Sequence, residues 1–293
     1  LRLNILRKYK NFSFTKGLLE KQKILNKSVL KFKPTIIIHL AAQAGVRYSI
    51  DNPDIYLSSN ILGTFNVLKI ANKIKIKHLI IGSSSSVYGA NKKIPFQEID
   101  KTDHQVSFYA ATKKSAESLA HSYSSLWKLP ITMLRFFTVY GPFGRPDMAL
   151  FKFTKNIFNN KKIDIYNYGK HVRDFTYVSD IALSIKKLLK KVPIKNENYK
   201  LDKKISFNSN AKIRVLNIGN GDPKELEKYI SKIEKYTKRK ALRNYLPFQI
   251  GDALKTSANT NKLKKLTKFS PKIKIDEGIK NFVKWYVDFY KIK

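Results

Sequence analysis

Three residues are spaced so that together they can remove a proton from an alcohol. Tyr109 and Lys113 stand four residues apart in YAATK, and Ser84 belongs to the hydroxyl cluster SSSSVYG at 83–89. Positions i and i+4 share one face of a helix, so the Lys113 ammonium can favour the phenolate form of Tyr109, whose ordinary pKa is about 10. A lowered pKa would let the phenol act as a general base near neutral pH. Tyr and Lys pairs recur at this spacing by chance in so lysine-rich a chain, so the prediction depends on the surrounding segments.

Those segments alternate between strand and helix patterns. The apolar run HLIIG at 78–82 leads directly into the serines, and a helix-like segment carries Tyr109. This order of strand, hydroxyl turn and helix predicts an active site on a parallel sheet. The predicted strands are 12–15, 35–40, 78–83 and 131–137, and the predicted helices are 20–32, 53–74 and 108–127. The alternation predicts an α/β fold with a doubly wound parallel sheet that is covered by helices on both faces.

Composition limits the classes of protein that this chain can belong to. It has 293 residues, of which 43% are hydrophobic, and it contains no Cys. A chain of this size buries a substantial core, and without Cys it forms neither disulfides nor thiolate metal sites. The 5 His have no spacing typical of metal ligands, and no apolar run approaches the roughly 20 residues of a membrane span. We therefore predict a cytoplasmic protein with no metal site and no membrane partner.

The charge is strongly positive, with a formal net value of +37. Such a field binds polyanions at low salt. The lysines are nevertheless spread along the chain, no basic stretch of five or more is uninterrupted, and no signature of a nucleic-acid-binding fold occurs. We interpret them as solvated surface lysines rather than as a specific nucleic-acid site. A basic surface also attracts doubly charged nucleotide sugars.

Six ordered blocks of sequence resemble the extended short-chain dehydrogenase/reductase superfamily, and within it the UDP-glucuronate 4-epimerases. The blocks span 39–49, 52–68, 83–89, 107–117, 134–154 and 173–181. This resemblance implies a Rossmann-like fold, an NAD cofactor and a UDP-sugar substrate. It also implies interconversion of UDP-glucuronate and UDP-galacturonate through a transient 4-keto sugar. A homodimer formed through the helices at 53–74 and 108–127 is a further implication.

One feature of the superfamily is absent from the chain. Its members open with a strand and a GxxGxxG turn, whose glycines let the backbone approach the cofactor pyrophosphate at a helix N-terminus. None of the 12 Gly has that spacing, and FSFTKG at 12–17 resembles the third strand of such a domain. We therefore expect an N-terminally truncated Rossmann-like domain without its first strand, first helix and second strand, and a chain that is inactive alone. The alternative is a natural domain that starts here.

The domain organisation follows from the same pattern. After Gly141 and Pro142 the alternation becomes less regular. We predict a truncated NAD-binding domain at 1–141 and mainly a smaller UDP-sugar-binding lobe at 142–293. By resemblance, the chain recrosses into the main sheet at about 211–221.

The resemblance also assigns roles at the reacting centre. It implies that Tyr109 removes the 4-hydroxyl proton, while Lys113 lowers its pKa and binds the nicotinamide ribose. Ser84 would share the sugar hydroxyl proton with Tyr109, and Ser85 lies close enough to substitute. The remaining cofactor-binding candidates are Ser83, Ala41, Ala42, Asn60 and Phe136. A serine cluster is also ordinary turn chemistry, and Ala, Asn and Phe are also ordinary packing residues.

Four more residues are candidates for holding the UDP-sugar. By resemblance, Thr138 and Arg145 would read the uronate, because an Arg fork pairs with both carboxylate oxygens. Arg145 has two alternatives, a bond to the diphosphate or a salt bridge to Asp147. Arg173 resembles the residue that grips the diphosphate, and Asp252 resembles the carboxylate that takes the uridine ribose hydroxyls.

Two residues depart from the family pattern. Ser179 stands where an Asp is usual, and Leu18 stands where an Asp approaches the adenine. The second departure weakens the expectation of adenine binding.

Two rival functions remain open at this stage. The first is a related nucleotide-sugar enzyme, namely a neutral-sugar epimerase, a dehydratase or a decarboxylase. Dehydratases usually carry an Asp/Glu pair after the first catalytic hydroxyl, where this chain has Ser85 and Ser86. The second rival is a catalytically silent protein that binds a UDP-sugar without turnover.

Overall fold

The fold is built on a parallel sheet of four strands. The structure is a computed structural model that describes residues 2–195 and 209–292. The strands are β1 (Ile36–His39), β2 (His78–Ser84), β3 (Ile131–Phe136) and β8 (Ile213–Ile218). Their order in the sheet is β1-β2-β3-β8, and every neighbouring pair is parallel. All residues of β2 are buried, as expected for a central strand covered on both faces.

Helices cover both faces of this sheet and bury apolar side chains against it. On one face, α5 (Gly63–Lys73) and α6 (Phe108–Trp127) contribute residues such as Leu68 and Ala120 to a core with alternate residues of the strands. On the other face, α8 (Val178–Leu188) and α10 (Asn261–Thr267) form a second core. The predicted doubly wound α/β fold is confirmed, and so is the return of the chain to the sheet through β8.

The strand predicted at 12–15 is wrong. Residues 12–18 form no regular element, between α1 (Arg2–Leu6) and α2 (Gln22–Phe32). Strand backbone needs a neighbouring ladder, and within the described part of the chain no strand pairs with the outer edge of β1. Along this edge Ile38 and Leu40 are 43% and 52% exposed.

The long helix predicted at 53–74 forms with an irregular centre. It consists of α4 (Pro53–Tyr56), a π-helical segment (Leu57–Leu62) and α5. π-segments are rare and occur often at functional sites. The helices predicted at 20–32 and 108–127 are confirmed as α2 and α6.

A further core lies outside the main sheet. Its buried side chains come mainly from α7 (Ala149–Phe158), α9 (Leu226–Thr237), α11 (Ile275–Tyr290) and β5 (Lys162–Tyr166). β5 pairs in parallel with β10 (Leu242–Leu246). Aromatic rings fill much of this core; the Phe175 and Tyr229 rings stack with centroids 4.0 Å apart. The domain boundary at 141/142 stays a prediction.

Short elements complete the described chain. These are α3 (Tyr48–Asp51), the parallel strands β4 (Thr138–Tyr140) and β7 (Phe175–Tyr177), the antiparallel strands β6 (Val172–Arg173) and β9 (Lys224–Glu225), and 3₁₀ turns at Ser85–Tyr88 and Asn167–Gly169. In the part of the chain with described coordinates, no helix has both the length and the apolar character to cross a bilayer.

Candidate active site

The end of β2 and the start of α6 bring Ser84 and Tyr109 together. Ser84 lies at the carboxyl end of β2. Its hydroxyl accepts a hydrogen bond from the Ser86 amide at 3.2 Å and caps the 3₁₀ turn. Ser107 caps α6 by accepting a hydrogen bond from the Ala110 amide at 3.1 Å. These two caps fix the ends of the elements that carry the reacting hydroxyls.

Tyr109 is a partly buried phenol beside a hydroxyl and a cation. Burial raises its pKa, a hydrogen bond with the Ser84 side chain opposes that rise, and so does the positive charge of Arg145. Its backbone amide donates to Ser49 Oγ at 3.1 Å. The arrangement therefore links the two hydroxyls that the sequence predicts as a proton-transfer pair.

Lys113 is one turn further along α6 and is only 8% exposed. Its ammonium donates to the Gly82 carbonyl oxygen at 2.9 Å. Burial lowers the pKa of Lys113 to about 8, against the opposing charge of Glu117. The groups that oppose the rise in the Tyr109 pKa are Ser84 and Arg145, and the lowering of that pKa by Lys113 stays a prediction.

Ser83 belongs to a buried polar network that the sequence analysis missed. Its hydroxyl donates to Glu117 Oε1 at 2.6 Å, and Glu117 receives two hydrogen bonds from Arg135, each 2.9 Å long. The side chains of Glu117 and Arg135 have no exposed surface. The Ser83 hydroxyl proton is engaged in this network, and a contact between Ser83 and the cofactor stays a prediction. The available signal was a Glu four residues after Lys113 and an Arg in an apolar strand.

Asn60 anchors the loop that follows β1. Its Oδ1 accepts from the Gln43 amide at 2.8 Å, and its Nδ2 donates to the Gln43 carbonyl and to Thr112 Oγ1, both at 3.0 Å. Both amide hydrogens are engaged, and the side chain is 1% exposed. Asn60 therefore holds the loop on α6, and its contact with the cofactor stays a prediction.

The other cofactor candidates stand where the sequence places them. Ala41 is exposed and Ala42 partly buried in the loop after β1. Phe136 ends β3 in register with Ser84. A Cβ atom at Gly82 would lie 3.1 Å from the Phe136 ring, so this strand position needs glycine for close packing. Ser85 is partly exposed in the turn that follows Ser84.

Arg145 reaches the site but has a protein partner. Its Nε donates to Asp147 Oδ1 at 3.0 Å, which is the salt bridge named as an alternative in the sequence analysis. The Arg145 side chain is 41% exposed. Thr138 begins β4, where its amide donates to the Asp174 carbonyl at 3.0 Å and its side chain is partly exposed.

Arg173 and Asp252 hold each other. Arg173 donates to Asp252 Oδ1 at 2.9 Å and to the Leu254 carbonyl at 3.1 Å. His171, which sequence reasoning missed, lies 3.6 Å from the Asp252 carboxylate and 3.2 Å from the Arg173 guanidinium. Burial lowers the pKa of Arg173, and the charge of Asp252 opposes this effect. The two predicted ligands thus form one charged cluster.

Asp174 was also missed, although it follows Arg173 directly. Its buried carboxylate accepts from the backbone amides of Asn220, Gly221 and Ala258, at 2.8, 3.0 and 2.9 Å. These bonds tie β7, the loop after β8 and the segment before α10 together.

Comparison with known proteins places these features in context. Residues 2–282 match the family model described as GDP-mannose 4,6 dehydratase. The chain is 46% identical to the probable UDP-glucuronate 4-epimerase of Rhizobium meliloti (strain 1021), over 98% of this chain and 84% of the relative. It is 48% identical to Protein CapI of Staphylococcus aureus, over 96% of this chain and 84% of the relative.

A solved structure extends the similarity to the fold. The structure of UDP-glucuronic acid 4-epimerase from Bacillus cereus, in complex with UDP-glucuronic acid and NAD, superposes with a TM-score of 0.84. It is 28% identical and covers 98% of this chain and 85% of that one.

Proposed function

The chain belongs to the NAD-dependent epimerase and dehydratase family, and on this premise we propose that it is a UDP-glucuronate 4-epimerase. The observation that carries the proposal is the convergence of Tyr109, Ser84 and Lys113 at the carboxyl end of β2. The similarity to named UDP-glucuronate 4-epimerases supports the choice of substrate.

The chemistry begins at the hydroxyl pair. Tyr109 in its phenolate form accepts the proton of the sugar 4-hydroxyl; burial raises the pKa of the phenol, whereas the Ser84 side chain and the positive charge of Arg145 favour the ionised form. Ser84 would hold the sugar hydroxyl in line. When a ketone forms at carbon 4, the same two groups donate hydrogen bonds to its oxygen. Return of the hydride to one face or the other of carbon 4, together with return of the proton from Tyr109 to the oxygen, would then give the two epimers.

NAD, when bound, accepts and returns the hydride of carbon 4. The residues expected at the nicotinamide end are compatible with such a group, since Ala41 and Ala42 lie in the loop after β1, Phe136 ends β3 in register with Ser84, and Lys113 bonds to Gly82 of β2. Lys113 would exchange the Gly82 carbonyl for a ribose hydroxyl, a change between two neutral acceptors. The glycine-rich turn expected at the pyrophosphate is not found in the sequence.

The substrate would be held by two cationic groups. We assign the diphosphate to Arg173 and the uridine ribose to Asp252, which are already paired and oriented by each other. Thr138 and Arg145 would bind the uronate. Arg145 exchanges the Asp147 carboxylate for that of the sugar, so that its charge stays paired throughout. The homodimer and the cytoplasmic location are parts of the same proposal.

A substrate panel tests this function. We would assay the chain alone, and a fusion that supplies a first strand, a GxxGxxG turn and a first helix ahead of residue 1, with NAD⁺ and three nucleotide sugars. Conversion of UDP-glucuronate to UDP-galacturonate, with little conversion of UDP-glucose, is the expected result. Preferred turnover of UDP-glucose would make the protein a neutral-sugar epimerase. A deoxygenated or decarboxylated product would make it a dehydratase or decarboxylase, and binding without turnover in the fusion would make it a silent protein.

A further inference from the structure

Two lysine-rich helices lie side by side on one face of the main sheet. α8 and α10 both bury apolar side chains in the same core, and they contact each other. The chain after α10 returns to the start of α8, where the Lys272 amide donates to Asp180 Oδ2 at 2.8 Å. Since both helices bury their inner sides against one sheet face, their outer sides face solvent together.

The two helices and the segments that follow them carry exposed positive charge. The stretches 181–195 and 261–275 contain eleven lysines and no Asp or Glu. Five of these lysines lie in α8 and α10 and six in the segments that follow the helices, and all eleven are exposed. We call this surface the lysine face. Within the ranges that the structure describes, Lys262 makes the only ion pair of these lysines, at 4.0 Å from Glu98. By contrast, Lys232 and Lys235 of α9 both pair with Asp276.

Apolar side chains are exposed at one end of the lysine face. Val192 and Ile194 follow α8 between the lysines, and they are 39% and 83% exposed. Leu183, on the solvent side of α8, is 39% exposed. Basic surfaces with adjacent exposed apolar residues are typical of proteins that bind at the interface of a bilayer.

The side chains present favour a lipid surface over a nucleic acid. The two stretches contain no Arg, Trp or Tyr, and their one aromatic residue, Phe269, is buried with the Lys187 ammonium 5.9 Å from its ring. The face therefore lacks the guanidinium forks and stacking rings with which proteins read phosphates and bases. Lysine point charges with a shallow apolar edge match anionic headgroups.

We propose that the lysine face is a docking surface for an anionic lipid membrane. The face lies across the sheet from α6, which carries Tyr109, so docking leaves the hydroxyl site uncovered from its own side. The association is peripheral and charge-driven, and it is independent of the proposed enzymatic activity. It needs no spanning segment, so it revises the prediction of no membrane partner, which rested on the length of apolar runs. It takes its strength from several lysines that reach one surface together, at about 1 kcal/mol each.

Vesicle cosedimentation tests the docking surface with a matched control. The face variant combines Lys186→Gln, Lys190→Gln, Lys264→Gln and Lys265→Gln. The control variant combines Lys152→Gln, Lys155→Gln, Lys280→Gln and Lys284→Gln, which are exposed on α7 and α11. Both lower the net charge equally. On phosphatidylcholine vesicles with about 30% phosphatidylserine at about 0.15 M salt, we expect the face variant to bind at least about tenfold more weakly and the control to change less than about threefold.

Other measurements separate this surface from diffuse charge. Ile194→Ser should weaken vesicle binding about threefold without changing its salt dependence, because it removes buried apolar area and no charge. Equal losses in the face and control variants, or no binding of the unaltered protein to the anionic vesicles, would overturn the proposal. So would a face variant that keeps its vesicle binding but loses binding to duplex DNA, because the surface would then serve a nucleic acid.

Discussion

At the scale of single residues, the structure divides the predicted site into groups that are available and groups that are engaged. A hydrogen bond with the Ser84 side chain opposes the rise in the Tyr109 pKa, and the role of the two residues as a proton-transfer pair stays a prediction. Ser83 and Asn60 are engaged by the protein itself. Spacing indicated Tyr109 and the family resemblance indicated the other three residues, but neither could show hydrogen bonds to partners more than 30 positions away.

Replacing the phenol tests the proposed base. Tyr109→Phe should lower the turnover of UDP-glucuronate by about 10²- to 10⁴-fold, because it removes only the ionisable oxygen. Binding of the UDP-sugar, measured by calorimetry, should change little. The matched control is Tyr245→Phe, which removes a hydroxyl of β10 that lies 3.0 Å from the Glu227 carboxylate. This variant should retain full turnover. A Tyr109→Phe protein that keeps more than a few per cent of the rate would exclude Tyr109 as the base.

The proposed binding of the uronate carboxylate by Arg145 makes a second prediction at this scale. Arg145→Leu should weaken the binding of UDP-glucuronate by about 2 to 5 kcal/mol, because the buried sugar carboxylate then lacks its charged partner. The binding of UDP-glucose, which has no carboxylate, should weaken far less. Arg173→Leu, by contrast, should weaken the binding of both nucleotide sugars by similar amounts. Binding constants for the two sugars decide the matter, and equal losses with Arg145→Leu would assign Arg145 to the diphosphate.

At the scale of elements, the sequence pattern predicted correctly those helices whose formation depends on residues within the helix itself. The helix over 108–127 forms between the predicted residues, since its cap and its periodicity are both local. The strand over 12–15 fails because a strand depends on a neighbour that sequence pattern does not display. The buried pair of Glu117 and Arg135 was missed for a related reason, because it joins α6 to β3.

That buried pair makes α6 and β3 one unit, which predicts a large effect of breaking it. Glu117→Gln should lower the free energy of unfolding by about 3 to 5 kcal/mol, since the Arg135 charge would stay buried without a counter-ion. Glu225→Gln breaks an exposed pair with Lys228 and should cost no more than about 1 kcal/mol. Urea unfolding of both variants makes the comparison, and similar small losses would mean that the buried pair adds little to stability.

β1 carries a histidine whose burial predicts how stability depends on pH. His39 bonds to Thr64 at 3.0 Å, and burial, followed by the charge of Lys113, lowers its pKa to about 4. The unfolded chain therefore binds more protons than the folded one between pH 6.5 and 4, so the free energy of unfolding falls as pH falls through this window. At 1.36 kcal/mol per pKa unit, His39 contributes about 3 kcal/mol of this fall.

Urea unfolding at several pH values measures that contribution. His39→Gln keeps a polar partner for Thr64 and removes the titration, so its stability should fall less between pH 6.5 and 4 than that of the unaltered chain. His78, whose pKa burial also lowers, is retained in both proteins and cancels in the comparison. Parallel pH dependences of the two proteins would contradict this account of His39.

At the scale of the whole molecule, the fold determines where the positive charge lies on the surface, whereas the sequence gives only its total. The lysines are spread along the chain, yet α8 and α10, some 80 positions apart, meet on one sheet face, and these helices with the segments that follow them carry eleven of the lysines. The same folding brings Arg173 to Asp252 across 79 positions. Composition predicted a basic surface, whereas its division into regions depends on the order in which helices cover the sheet.

The central claim is that this fold inverts carbon 4 of UDP-glucuronate with Tyr109 as the base. The most direct measurement incubates UDP-glucuronate carrying deuterium at carbon 4 with NAD⁺ and the protein, as the chain alone and as the fusion described above, and reads the product by NMR. From the fusion we expect UDP-galacturonate that retains its deuterium at carbon 4, and no such product from the fusion that carries Tyr109→Phe. Loss of the label to solvent, or failure of the fusion to form UDP-galacturonate while it binds both NAD⁺ and the sugar, would contradict the claim.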